Sequence, residues 1–203
     1  MNDNGNKFFI IALIAMVLMQ VLPFIFWPKT ARADNLITVD QIGSYNTVVV
    51  TQDGTTQSAT VNLGKTSAVD NTYIAITQQG TGNKIATVDM PGGYNSSVVM
   101  FQDGSGNHTA AIQNLNGAAN NINFSQTGAG NHVVTVTGGL GTTNSGDTIN
   151  ATQSGSGDKA FQLNLNGTMG ATVNVQQTNP TQSNTGAMSI QCNPCGAYTY
   201  TRQ

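Results

Sequence analysis

The sequence predicts an all-β chain whose strand-turn-strand repeats stack into a β-solenoid of about six coils, behind an N-terminal signal peptide. Three observations predict this: a recurring pattern of polar and glycine positions, a period-two alternation of apolar residues, and a composition almost without charge. The pattern runs small polar residue, five positions, Gln, Gly two later, then Asn or Asp. It reads Thr72, Gln78, Gly80, Asn83; Ser96, Gln102, Gly104, Asn107; Asn120, Gln126, Gly128, Asn131; and Asp147, Gln153, Gly155, Asp158. The units begin 24 residues apart at 72, 96 and 120, and the next step, to 147, is 27. Units this short cannot bury an apolar face alone, so they must stack.

Of 203 residues only 8% are charged, 23 are glycine and none is glutamate. That balance is far from an ordinary enzyme's. The formal charge of −2 lacks the basic excess of a specific nucleic-acid binder and the self-repulsion of an acidic disordered tail. Low charge favours self-association.

Residues 1–33 read as the signal peptide: Lys7, an apolar run from Phe8 to Trp27, then Ala31-Arg32-Ala33, which fits the small-x-small cleavage rule. The run also has the ~20 residues of a membrane anchor. Gln20 and Pro23 within it, and Lys29 and Arg32 on the side to be translocated, oppose that reading. Cleavage after Ala33 leaves Lys65, Lys84, Lys159 and Arg202 against eight Asp, 4 − 8 = −4. The expected destination is the cell exterior.

Residues 34–176 form the repeat region, with the six-residue steps Asn35 to Gln41 and Asn46 to Gln52 extending the pattern toward the N-terminus. Each step is a predicted strand. First strands alternate with Ile37 and Val39, Ile74 and Ile76, Val98 and Met100, Ile122 and Phe124, and Ile149 and Ala151 facing inward. Counted from the turn Asn, second strands give Val48 and Val50, Ala59 and Val61, Ile85 and Thr87, Thr109 and Ala111, and Val133 and Thr135 as the opposing wall. Gly43, Gly54, Gly80, Gly104, Gly128 and Gly155 are the expected turn glycines, because a tight reversal visits positive φ.

Coils stacked about 4.8 Å apart place equivalent residues above one another. Columns of Gln41, Gln78, Gln102, Gln126 and Gln153, and of Asn46, Asn83, Asn107 and Asn131, are therefore expected along the axis, with Gln52 and Gln113 as further assembly amides. An unpaired inward amide costs about 1–3 kcal/mol. A ladder removes that cost, since each side-chain carbonyl can accept from the amide one rung away.

The order Ser/Asn-x5-Gln-x-Gly-x-(Gly)-Asn-x-Ala-x3-Gln resembles the curlin repeat, the building unit of curli, the functional amyloid fibres of bacterial surfaces. Residues 72 to 164 carry the likeness most fully. The resemblance implies a subunit that outer-membrane secretion machinery exports unfolded and that polymerises outside, with itself and a sister subunit, for adhesion and biofilm matrix. It also admits a minor nucleating or terminating subunit. From another class, a monomeric β-solenoid adhesin would differ mainly in capping both ends.

Two columns are expected on the exterior. Lys84, His108, His132 and Lys159 follow the turn Asn or Asp and would form a basic stripe, either solvated or touching anionic matrix polymers, where acid would slow assembly by imidazolium repulsion. Ala86 and Val88, Ala110 and Ile112, Val134 and Val136, and Phe161 and Leu163 would form an apolar strip pairing filaments laterally.

Residues 177–203 lose the period and read as a degenerate final coil or cap, whose turn holds Cys192-Asn193-Pro194-Cys195. In an exported chain this pair is read as a disulfide, within the turn or between subunits. A redox role lacks a helix N-terminus and a zinc site lacks further ligands. No catalytic set stands out, for the two histidines occupy equivalent repeat positions and the aspartates sit singly in turns. A non-enzymatic chain without metal or cofactor is the expectation.

Overall fold

The structure, a computed structural model, describes residues 35–64, 69–91, 95–113, 120–138, 146–165, 171–183, 189–192 and 197–202. The expected signal peptide and Cys195 lie outside them, as does the side chain of Cys192. The strands are β1 (Leu36–Thr38), β2 (Thr47–Gly54), β3 (Gln57–Thr60), β4 (Tyr73–Gly80), β5 (Lys84–Thr87), β6 (Ser97–Asp103), β7 (His108–Ala111), β8 (Asn121–Thr127), β9 (His132–Thr135), β10 (Thr148–Ser154), β11 (Lys159–Leu165), β12 (Thr172–Gln177), β13 (Ser189–Cys192) and β14 (Ala197–Arg202). They form two seven-stranded sheets, one of odd-numbered and one of even-numbered strands, each stacked in chain order. Every pairing between strands is parallel. This is the topology of a β-solenoid: the chain passes from an even to an odd strand, then returns one level on. The coils are β2–β3, β4–β5, β6–β7, β8–β9, β10–β11 and β12–β13, with β1 and β14 as half coils.

Register follows the repeat. Ile74, Val98, Ile122, Ile149 and Val173 align across the even sheet, and one step along, Ile76, Met100, Phe124, Ala151 and Val175. All ten are buried. The odd sheet contributes Ala86, Ala110, Val134 and Phe161 in one column, and two residues on lie Val88, Ile112 and Val136, just past β5, β7 and β9, and Leu163 of β11, also buried. Bulk is shared within a coil: the β10–β11 coil places Phe161 on the odd sheet and only Ala151 on the even one, whereas β8–β9 has Phe124 on the even sheet and Val134 on the odd. Close packing demands this trade, because a fixed sheet spacing leaves a fixed volume per coil.

Four expectations change. Leu36–Thr38 pairs with β3 in the odd sheet, and Thr47–Gly54 pairs with β4 in the even sheet, the reverse of the predicted first-unit phase. The six-residue step to Gln occurs in both halves of a coil, so spacing alone does not separate them. The second strands after β3 are also turned over: Ala59 and Val61 are inside as expected, but Ile85 and Val133 are exposed while Ala86, Val88, Ala110, Ile112, Val134, Val136, Phe161 and Leu163 form the core. A shift of one residue moves a whole strand to the opposite face. The expected apolar strip for lateral pairing is therefore interior. For the same reason Lys84, His108, His132 and Lys159 form no exterior stripe, for all four are buried.

Candidate functional site

Two polar columns flank the arc that joins an even strand to the following odd strand, and a third precedes the even strands. The first ends the even strands. Gln52 Nε2 donates to Gln78 Oε1 at 2.8 Å, Gln78 to Gln102 at 2.9 Å, Gln102 to Gln126 at 2.8 Å, Gln126 to Gln153 at 2.9 Å and Gln153 to Gln177 at 2.8 Å. Each amide also donates to a carbonyl of the preceding odd strand: Gln78 to Ser58, Gln102 to Ile85, Gln126 to Thr109, Gln153 to Val133 and Gln177 to Ala160. One side chain thus ties neighbouring coils along the axis and the two sheets across it. An amide suits the position because it both donates and accepts.

Gln52 proves to be the first rung, and Gln177 extends the ladder beyond the expected set. The latter was readable from Ala171, six positions earlier, although its unit lacks the polar opener and the glycine after Gln. Gln41 and Gln113 are exposed and outside the ladder. Gln113 turns a corner with φ 63°, where its carbonyl accepts from Met90 N at 2.6 Å.

Asn46 is likewise in a different column from Asn83, Asn107 and Asn131. It precedes β2, and its Oδ1 accepts from Thr72 N at 3.0 Å. That column continues through Ser96, whose Oγ donates to Asn120 Oδ1 at 2.9 Å, and Asn120, whose Nδ2 donates to Asp147 Oδ2 at 2.6 Å. Asp147 is buried and its Oδ1 is unpaired. Burial pushes its carboxyl up to about 6, against the opposing Asn120 hydrogen bond. In the arcs Asn83 and Asn131 are exposed, and the backbone N of each donates one coil on, to Asn107 Oδ1 at 3.0 Å and Asp158 Oδ1 at 2.8 Å.

The arc glycines have φ between 88° and 145° at Gly54, Gly80, Gly104, Gly128 and Gly155. At Gly104 a Cβ would also meet the backbone N of Gly128 at 2.8 Å. Both the left-handed conformation and the close passage of the next coil require glycine there. Gly43, φ 127°, lies at the other corner, against Val69.

The second column opens the odd strands: Gln57, Lys84, His108, His132 and Lys159 in register. Inward arc carbonyls form a cup that takes a donor. Lys84 Nζ donates to Gly82, Gly104 and Gly106 carbonyls at 3.1, 2.9 and 2.8 Å. Lys159 Nζ donates to Gly157 and Gln182 carbonyls at 2.9 and 2.7 Å. Gln57 Nε2 reaches Asp53 and Gly80 carbonyls at 3.1 and 3.4 Å. Burial lowers the pKa of both lysines, with Asp103 opposing at Lys84 and Asp158 at Lys159.

His108 and His132 fill the two central positions as parallel rings with centroids 4.8 Å apart and planes 8° from parallel. No ring nitrogen meets an aligned partner. The carbonyls of Gly128 and Gly130 near His108, and of Gly155 and Gly157 near His132, favour the protonated ring by proximity. Without alignment that attraction is the weaker effect. Burial, then His132 and Lys84, push His108 down to about 3. Burial, then Lys159, push His132 down to about 4, with Asp158 opposing.

Among the described residues no group of three His, Cys, Asp or Glu side chains could hold a metal. The buried polar atoms chiefly hold coil on coil, leaving the ring nitrogens of the histidines, Gln57 Oε1 and Asp147 Oδ1 unpaired. No family model, curated protein or solved structure matches the chain.

Proposed function

We propose that this chain is an exported structural subunit that polymerises end to end into extracellular, curli-like amyloid fibres serving adhesion and biofilm matrix. The observation that carries the proposal is the N-terminal end of the solenoid. There Leu36, Ile37, Val39 and Ile42 are exposed, Val48 and Val50 of β2 are only half-buried, and the first ladder rung, Gln52, accepts from no described donor. An end of this kind matches the interior of the same molecule, where each coil offers the next an apolar face, a parallel strand edge and an amide acceptor. Natural proteins block such edges with charge, proline or a covering element, and the exposed β1, Leu-Ile-Thr, carries neither charge nor proline. Contact between the two different ends of identical molecules does not close, so it makes a filament.

The interior polar groups serve structure, which supports a subunit without catalytic activity or cofactor. Burial of Lys84, His108, His132 and Lys159 removes the expected surface contact with anionic polymers. Export by an outer-membrane apparatus and co-assembly with a sister subunit rest on the curlin-repeat resemblance. The test is assembly of residues 34–203 diluted from denaturant, followed by thioflavin fluorescence, electron microscopy and fibre diffraction. Fibres with a meridional reflection near 4.7–4.8 Å are expected. A persistently soluble monomer would overturn the proposal in favour of an adhesin capped at both ends.

A further inference from the structure

We propose that the stacked His108–His132 pair is an acid-sensitive lock: the β6–β7 and β8–β9 coils close only around two neutral imidazoles, and protonation opens the solenoid at its centre. Burial and stacking support this, against the weaker pull of the Gly128, Gly130, Gly155 and Gly157 carbonyls. The rings are buried face to face, 4.8 Å apart, with unpaired nitrogens. Along the column the next groups are the Lys84 and Lys159 ammonium groups, each already holding its own carbonyl cup. Across the interior, β6 and β8 present only uncharged inward side chains, Val98, Met100 and Gln102, and Ile122, Phe124 and Gln126. Of the arc carboxylates, Asp103 acts on Lys84, whereas Asp158 acts on both Lys159 and His132 and opposes the lock there. Two charged rings would thus be buried a rung apart between two cations.

The sign follows from linkage. A histidine free of the fold titrates at the ordinary value of 6.5, whereas the folded pair is held down to about 3 and about 4. Between these limits the unfolded chain binds more protons, so stability is full above pH 6.5 and falls as pH drops toward 4. With both histidines charged only when unfolded, the unfolding equilibrium constant approaches a rise of about a hundredfold per pH unit. Asp147 acts in the opposite sense, because its raised value favours the folded state in acid. The lock is therefore read as a difference between variants.

Gln57 supplies the control, since this neutral side chain already occupies the same column and donates to the same kind of carbonyls. The experiment is urea unfolding from pH 8 to 4.5 of the chain and of H108Q/H132Q. The expected result is a steep loss of stability in acid for the parent below pH 6.5 and a much flatter profile for the variant. Parallel profiles would overturn the proposal. Should the double variant fail to fold, imidazole nuclear magnetic resonance on the folded parent decides. Ring signals unmoved between pH 8 and 5 while the chain stays folded support the lock, and titration of either ring near 6.5 in the folded state overturns it.

Discussion

The glutamine ladder and the Lys–His column run side by side through one apolar interior, separated by one arc, yet they solve the problem of buried polarity in opposite ways. An amide donates and accepts, so Gln52 through Gln177 satisfy one another rung by rung. An ammonium only donates, and Lys84 and Lys159 give their hydrogens to backbone carbonyls of the arcs. The neutral imidazoles do neither and stack. The ladder is thus a continuous chain of side-chain bonds, whereas each lysine of the other column is a local plug held by its own arc and the arc one coil on.

The largest expected effect separates a cation with a cup from one without. Ile112 is fully buried one residue past β7, away from the arcs, so Ile112→Lys places an unpaired charge among apolar side chains. Loss of about 3–5 kcal/mol is expected in chemical denaturation. The wild-type Lys84, equally buried, is tolerated because three carbonyls surround its Nζ.

Next, Gln102→Ala orphans the Gln78 amide hydrogen, the Gln126 carbonyl and the Ile85 carbonyl. The expected cost is about 2–4 kcal/mol, with unpaired groups priced individually at about 1–3. Lys84→Met removes donors from its cup alone and should cost about 1–3 kcal/mol. Lys84→Gln, which copies Gln57, should recover part of that loss. If the Lys84 and Gln102 losses spread equally to distant coils, as seen by hydrogen exchange, the distinction between plug and ladder fails. The smallest effect is expected on the outer face. Val133→Lys should change stability by no more than about 0.5 kcal/mol, because Val133 is 39% exposed.

These contrasts also show what the sequence revealed. The solenoid, its parallel stacking and the ladder core at Gln78, Gln102, Gln126 and Gln153 were legible, because a residue that must match its neighbours in register recurs at the register's period. Strand phase after the arc was not. Counting from Asn83, Asn107 and Asn131 treats the arc as a simple reversal, whereas Lys84, His108 and His132 already point inward as plugs. Hydrophobicity could not correct this, since Ile85 and Ala86, or Val133 and Val134, are apolar on both faces. A lysine and a histidine in the core run against ordinary burial preferences. The signal was there in form: four nitrogen-bearing side chains at one repeat position, each two residues after the arc's second glycine, where inward carbonyls take the lysine ammonium groups.

Whether the ladder is cooperative is decided by a double-mutant cycle, Gln102→Ala and Gln126→Ala singly and together, read by chemical denaturation. Adjacent rungs should couple by about 1 kcal/mol or more, while the separated pair Gln78 and Gln153 should add within about 0.5 kcal/mol. Additivity between Gln102 and Gln126 would contradict a cooperative ladder and leave the apolar columns alone to hold the coils in register.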